Sequence, residues 1–506
     1  MTESNKLGGI SRKVFAAIFF LSLPVTNFRY FPEFLGGVKV QVKPLLIIPM
    51  AVLLILILPG LWKRKLPRLF LPLLVFFILV LISSLLPLIM GTTSPLSETT
   101  VRSRLLRTVL TLLIGVAVYI TVSLIPESRE DLDFSLKWLY GGLFLSLIWS
   151  SLQIIYVLDV IPGYYVFFSK LQIHISSNVG TPDRIMGLTL EPSWFADQIT
   201  AMWLPWVLPA AIHNRTVYQK RWGWITIERI LLAWMLVALV FTLSRAGLVV
   251  GTIVLAAGFL LFRIQGDPDQ LPTKKKGWLG ELRRVSEKIP VPVKIVFFSA
   301  VGLIIAGLLF YFVGMKNPYI KRMWLYWAKF STRVDAAGAK SLSGFFRYIG
   351  FGPRFVYWET ALRIFQAYPL FGVGLGNYTI YFQEFLPAVH VGYMPEILTR
   401  IVPDTVRIVT AKNYFFRLLA ETGLLGTGAY FTFLIALAAA GLHLWQSDEP
   451  ENKFWGAGAL LGLIAFLADG FSYDSLAIPN PWVVFGLITA SFSIITRTVS
   501  TEEKIR

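Results

Sequence analysis

The sequence predicts an all-α polytopic membrane protein of about twelve transmembrane helices, with a large extracytoplasmic loop that carries a short amphipathic helix. Three observations carry this. Of its 506 residues 55% are hydrophobic, at mean hydropathy +0.65, too apolar for a soluble chain of this size. Apolar runs of about 20 residues, the length that crosses a bilayer as a helix, recur along it. Lys and Arg are divided unevenly among the loops between those runs. Composition also excludes: the absence of cysteine removes disulfides, thiolate metal sites and a Cys nucleophile. The net charge of +18 would suit nucleic acid, but basic cytoplasmic loops account for it and no nucleic-acid partner is expected.

Spans are expected near 13–31, 44–61, 69–90, 105–125, 138–158, 192–212, 226–242, 246–262, 294–314, 413–443, 454–471 and 481–496. The first lacks a small-residue cleavage site and reads as a retained span. With the N-terminus inside, the inner segments hold 25 of the 47 Lys and Arg and the short outer loops 9. The other 13 lie between Lys316 and Arg417, mostly in a loop too long for the charge rule. Both termini are therefore predicted cytoplasmic and the loop from about 315 to 410 external. The chain divides into N-terminal helices (1–190), central helices (191–314), the large loop (315–410) and C-terminal helices (411–506). The cytoplasmic stretch GDPDQLPTKKKGWLGELRRVSEK reads as a headgroup-facing loop. Two Asp-x-Asp pairs, Asp131/Asp133 and Asp267/Asp269, are weak metal signals on the face opposite the long loop.

Three outer places combine polar residues with unusual local sequence. In RIMGLTLEPSWFADQ, Pro192 suits the first turn of a helix that Glu191 opens, as a cap or as a functional carboxylate. Asp197 enters the membrane a turn below, where an ionisable residue either pairs within the bundle or lines a cavity. In TLSRAG, Arg245 is the one charge of a tight outer junction; its planar fork suits two phosphate oxygens, whereas snorkelling to headgroups is the plain alternative. The third place begins at RFVYWETALRIFQAYPLFGVGLGN. There Phe355, Trp358, Leu362 and Phe365 share one helical face, Glu359 and Arg363 stand at i,i+4, and Arg354 has no such partner. Pro369 ends that helix, and Gly372, Gly374 and Gly376 suit a tight turn and close approach to a ligand. TAKNYFFRLLAETGLLG follows, with Lys412, Asn413 and Arg417 opening the tenth span and Glu421 within it.

TLSRAGL, the Arg-x3-Trp-x2-Ala pattern running to Pro-Leu-x-Gly-x-Gly-x-Gly-Asn-Tyr, and the Asn and ETGLLG of the tenth span stand in order in the second half. At these residues the chain resembles the O-antigen ligase and O-antigen polymerase superfamily of bacterial envelope glycosyltransferases. The first half matches only as a series of apolar spans. The resemblance implies a metal-independent transferase without a cofactor, working on the outer face of the bacterial cytoplasmic membrane. Its partners would be an undecaprenyl-diphosphate-linked glycan donor, a glycan or lipid-core acceptor, and membrane lipids. Arg245 and Arg354, with Arg363 as a third, look like the family's diphosphate-binding arginines. The ligases carry His as the base just before the Asn of the tenth span, where this chain has Lys412. Either Lys412 is another phosphate ligand, or burial among other cations lets it act as base. The base otherwise falls to Glu191, Asp197 or His390, the one histidine of the large loop. Polymerase and ligase both remain open, and a flippase for lipid-linked sugars is the alternative from another class.

Overall fold

A computed structural model describes residues 3–35, 40, 42–61, 66–94, 100–218, 225–265, 352–387, 396–397 and 408–505. The described residues are helical, with isolated β-bridges (Asn27 with Lys43, Phe28 with Ser176) in place of strands. In chain order the helices are α1 (Glu3–Ser22), α2 (Ile47–Leu61), α3 (Phe70–Ile89), α4 (Val101–Leu124), α5 (Arg129–Val157), α6 (Tyr164–Gln172), α7 (Pro192–Asp197) and α8 (Leu204–Ile212). They continue with α9 (Ile227–Phe241), α10 (Arg245–Gln265), α11 (Gly352–Ala367), α12 (Tyr378–Tyr381), α13 (Tyr414–Trp445), α14 (Pro450–Asp469) and α15 (Pro479–Ile505). Hydroxyl and amide caps start several of them: Thr100 accepts from the Ser103 N–H, Ser128 from Asp131, Thr226 from Arg229, and Asn413 from Phe415 and Phe416.

Among the described residues six helices are long and apolar enough to cross a membrane: α3, α4, α5, α10 over Arg245–Phe262, α13, and α15 over Pro479–Arg497. The chain is thus a multi-pass membrane protein. The twelve expected spans are not all of this kind. α1, α2, α9, α14 and the segment 192–212 fall on expected spans but lack the length, the continuity or the apolarity, and 294–314 lies outside the described residues. The first helix also ends at Ser22, short of the expected 31, because the chain after Pro24 pairs with a distant segment: the Phe28 N–H donates to Lys43 and the Lys43 N–H to Thr26. α15 is the centre of the bundle. It is 83% buried across its span, where the other five are 28–44% buried. It packs on α4, α13, α14 and the interrupted segment α7–α8, whose six residues Gln198–Trp203 form a π-helix and are all buried.

One end of the bundle is laced by ion pairs. Lys13 meets Asp131 at 3.6 Å, Arg129 grips Glu449 through two bonds of 2.5 and 3.0 Å, and Arg215 bonds both Glu451 and Asp133. Asp131 and Asp133 therefore serve as counter-charges to Lys13 and Arg215. Asp267 and Asp269 lie outside the described residues.

At the other end α13 is broken. Gly423 has φ +61° and ψ −164°, which frees the carbonyls of Ala420 and Glu421 from the helix ladder. The loop after α11 fills the break: Val373 and Gly374 donate their N–H groups to those carbonyls at 3.1 and 2.8 Å, and Leu424 and Leu425 donate to Pro369 and Leu370. Helices α3 and α4 hold the loop from behind. The Ser83 hydroxyl donates to the Phe371 carbonyl, Ser84 accepts from Leu375, Thr108 donates to Leu375, and buried Arg104 donates twice to the Gly376 carbonyl at 3.0 and 2.7 Å. Gly372, Gly374 and Gly376 all have positive φ and are buried. A β-carbon at Gly372 would come within 2.6 Å of the Ala420 carbonyl oxygen. The expected close approach of this loop to a ligand is thus, in the structure, a close approach of backbone to backbone.

Candidate active site

The junction between α9 and α10 that carries Arg245 is set by its neighbours. Thr242 accepts from the Ser244 N–H, Leu243 is left-handed at φ +49°, and Ser244 accepts from the Gly247 N–H as α10 begins. Gly247 has no room for a side chain because Ala196 of α7 packs against it. That contact draws the Arg245 turn onto the segment carrying Glu191 and Asp197.

Arg354 lies in the first turn of α11, half-buried, and donates to the Phe471 carbonyl at 3.2 Å. One turn on, Trp358 stacks on Phe416 with centroids 5.4 Å apart and meets Phe471 edge-on, fixing α11 to the start of α13 and to the turn after α14. Burial lowers the Arg354 pKa, and the Arg245 guanidinium lowers it further; Glu396, Asp474 and Asp197 act in the opposite sense. A single guanidinium thus senses α7, α10, residue 396 and the turn after α14 together. The buried face of α11 is Val356, Tyr357, Thr360, Ala361 and Ile364. On the apolar face Phe355 and Leu362 are exposed, while Trp358 packs inward on Phe416 and Phe471.

Asp197 is 3% exposed and lies near Asp469, itself 1% exposed, at the end of α14, and each keeps a buried carboxylate oxygen without a hydrogen-bond partner among the described residues. Glu191 stands at the N-cap of α7 yet its carboxylate makes no capping bond; it is exposed and accepts from the Ser193 hydroxyl at 3.2 Å. Lys412 precedes α13, and its N–H donates to the Asp474 carboxylate at 2.8 Å. Asn413 is engaged as the α13 cap. Arg417 donates to Glu421, which also accepts from the Tyr378 N–H.

The structure therefore gathers Arg245, Arg354, Asp197, Glu191 and, through Asp474, Lys412. It does not gather Arg363 or the glycines. Arg363 is nine residues from Arg354, two and a half turns on and on the opposite face, and bonds Glu359 at 2.7 Å with both side chains nearly half exposed. Arg363→Ala is accordingly expected to keep transfer within about twofold and stability within about 0.5 kcal/mol; a larger loss in a transfer assay would return Arg363 to the site. His390 lies outside the described residues. Sequence reasoning passed over Asp469, Asp474 and Arg104, all signalled by an ionisable residue in or beside an apolar run.

The O-antigen ligase family model matches residues 230–431, from α9 into the second half of α13. Over this region the chain is similar to the O-antigen ligase family. That similarity supports a membrane glycosyltransferase of ligase or polymerase type. No curated protein matches the chain. The matched residues take in Arg245, Arg354 and Lys412 but leave out Glu191, Asp197, Asp469 and Asp474.

Proposed function

We propose that the protein transfers glycan from an undecaprenyl-diphosphate carrier to a second glycan or lipid core, at the outer face of the cytoplasmic membrane. The observation that carries this is the pair of guanidiniums, Arg245 and Arg354, the first close enough to lower the pKa of the second. Two like charges held together are costly unless an anion joins them, and a diphosphate is such an anion. In the reaction an acceptor hydroxyl attacks the anomeric carbon, the bond to the diphosphate oxygen breaks, and its electron pair leaves with the diphosphate. The arginines stabilise that departing charge. The hydroxyl's proton passes to a base, for which Glu191 is our choice, being an exposed carboxylate that acts, like Arg354, on Asp197. Glu191→Gln should lower kcat by about a hundredfold or more with little change in KM; an unaltered kcat would remove Glu191 from this role.

Interrupted helices such as α7–α8 and α13 are also found in transporters. Here the α13 break is filled by protein backbone, and the charges named above gather at the two ends of the bundle, which favours transfer. The test is a liposome reaction with a mixed pool of undecaprenyl-diphosphate glycans in EDTA. A ladder of longer lipid-linked products supports a metal-independent polymerase, and transfer only after an acceptor is supplied supports a ligase. Lipid-linked glycan crossing the bilayer with neither product would overturn the reading in favour of transport.

A further inference from the structure

We propose that Asp474 is a positioning residue that fixes Lys412 as a third cation of the diphosphate site, an inference resting on the transferase reading above. Lys412 has φ +54°, in the left-handed region that a long side chain seldom occupies and that Asn or Gly occupies readily. Such a conformation persists only when its surroundings hold it. The holding group is the Asp474 carboxylate, 9% exposed, which accepts the Lys412 N–H at 2.8 Å. Asp474 is itself clamped. Arg417 donates to its carbonyl at 2.5 Å and, through Nε, to Glu421 at 3.0 Å. The Tyr414 N–H bonds the Gly470 carbonyl at 2.7 Å, so the turn from Gly470 to Asp474 is sewn to the start of α13 at Lys412, Tyr414 and Arg417. The same carboxylate faces the Arg354 guanidinium. Asp474 therefore sits between the Lys412 backbone and the arginine pair, setting where the lysine side chain departs. Among the described residues no acceptor bonds the Lys412 ammonium. A strained backbone maintained by a dedicated carboxylate, beside two arginines, suits a side chain aimed at an anionic ligand. It also accounts for a lysine at a place where a neutral base is not required.

The full-length protein in liposomes, with an undecaprenyl-diphosphate glycan as donor, tests this through five variants. Lys412→Asn suits the left-handed backbone, so its thermal midpoint should match or exceed the wild type. Its transfer should nevertheless fall by about tenfold or more, mainly through a higher KM for the donor. Lys412→Arg should keep most activity, because a cation and not a base is needed. Asp474→Ala should fall as far as Lys412→Asn. Asp474→Asn should recover activity, since a backbone N–H needs only an oxygen acceptor. The double variant Lys412→Asn/Asp474→Ala should be no slower than the slower single one. Full activity in Lys412→Asn or in Asp474→Ala, a dead Lys412→Arg, or losses that multiply in the double variant would each overturn the inference while leaving diphosphate transfer standing. A wild type that transfers nothing would overturn both.

Discussion

Replacing Arg245 and Arg354 together with alanine should reduce glycan transfer by about a thousandfold or more, while the protein still inserts and elutes as a single species in detergent. The magnitude follows from what remains. Removing one preorganised donor from a site of developing negative charge typically costs about 10²–10³ in rate. Removing both guanidiniums also leaves Asp197, Asp474 and Glu396 facing the space the diphosphate would enter, so weak attraction turns into repulsion. Stability should survive. Arg245 raises the cost of the Arg354 charge, and α11 is fastened chiefly by the packing of Trp358 on Phe416 and of its buried face on α13. Arg→Lys at both positions should retain part of the activity, since charge is kept and the planar fork lost. Transfer at the wild-type rate by the double alanine variant would end the diphosphate assignment.

The largest structural effect is expected at Gly423. Its φ and ψ lie in a region that is essentially glycine's alone, and a β-carbon there would lie 2.5 Å from the Leu370 carbonyl carbon and 2.6 Å from the Phe371 nitrogen. Gly423→Ala must therefore expel the loop from the break, leaving the Ala420 carbonyl without the Val373 N–H and the Glu421 carbonyl with the Ser83 hydroxyl alone. Backbone strain and several lost buried hydrogen bonds together amount to about 3–6 kcal/mol, enough to abolish a stable protein of ordinary marginal stability. Gly428→Ala, five residues along the same helix with open space around it, is the control and should behave as wild type. Thermal unfolding in detergent distinguishes the two. Equal midpoints would mean the loop does not need the break.

The span pattern was largely legible because a bilayer-length apolar run is a strong signal. Eleven of the twelve expected segments fall on helices, and the twelfth lies outside the described residues. The faces of those helices were not legible. In a soluble protein the large apolar face is the buried one, but α11 leaves Phe355 and Leu362 outside and buries Thr360 and Ala361, because the exterior of a membrane bundle favours apolar groups as much as its core does. The arginines stood out in the sequence because charge is rare in such a chain. Their acidic neighbours did not: Asp469 ends α14, and Asp474 lies in the short turn after it, which reads as an ordinary loop until its far end meets Lys412. Arg104 was invisible as a loop anchor because its partner is a backbone carbonyl, which no residue pattern encodes.

The loop that fills α13 is made about 270 residues after the helices that receive it. During synthesis α3 and α4 must wait in the bilayer with Ser83, Ser84 and the charged Arg104 unanswered, a state that hydrocarbon tolerates poorly. The first quarter of the chain is thus committed on behalf of the last third. The protein matures only when its two ends meet.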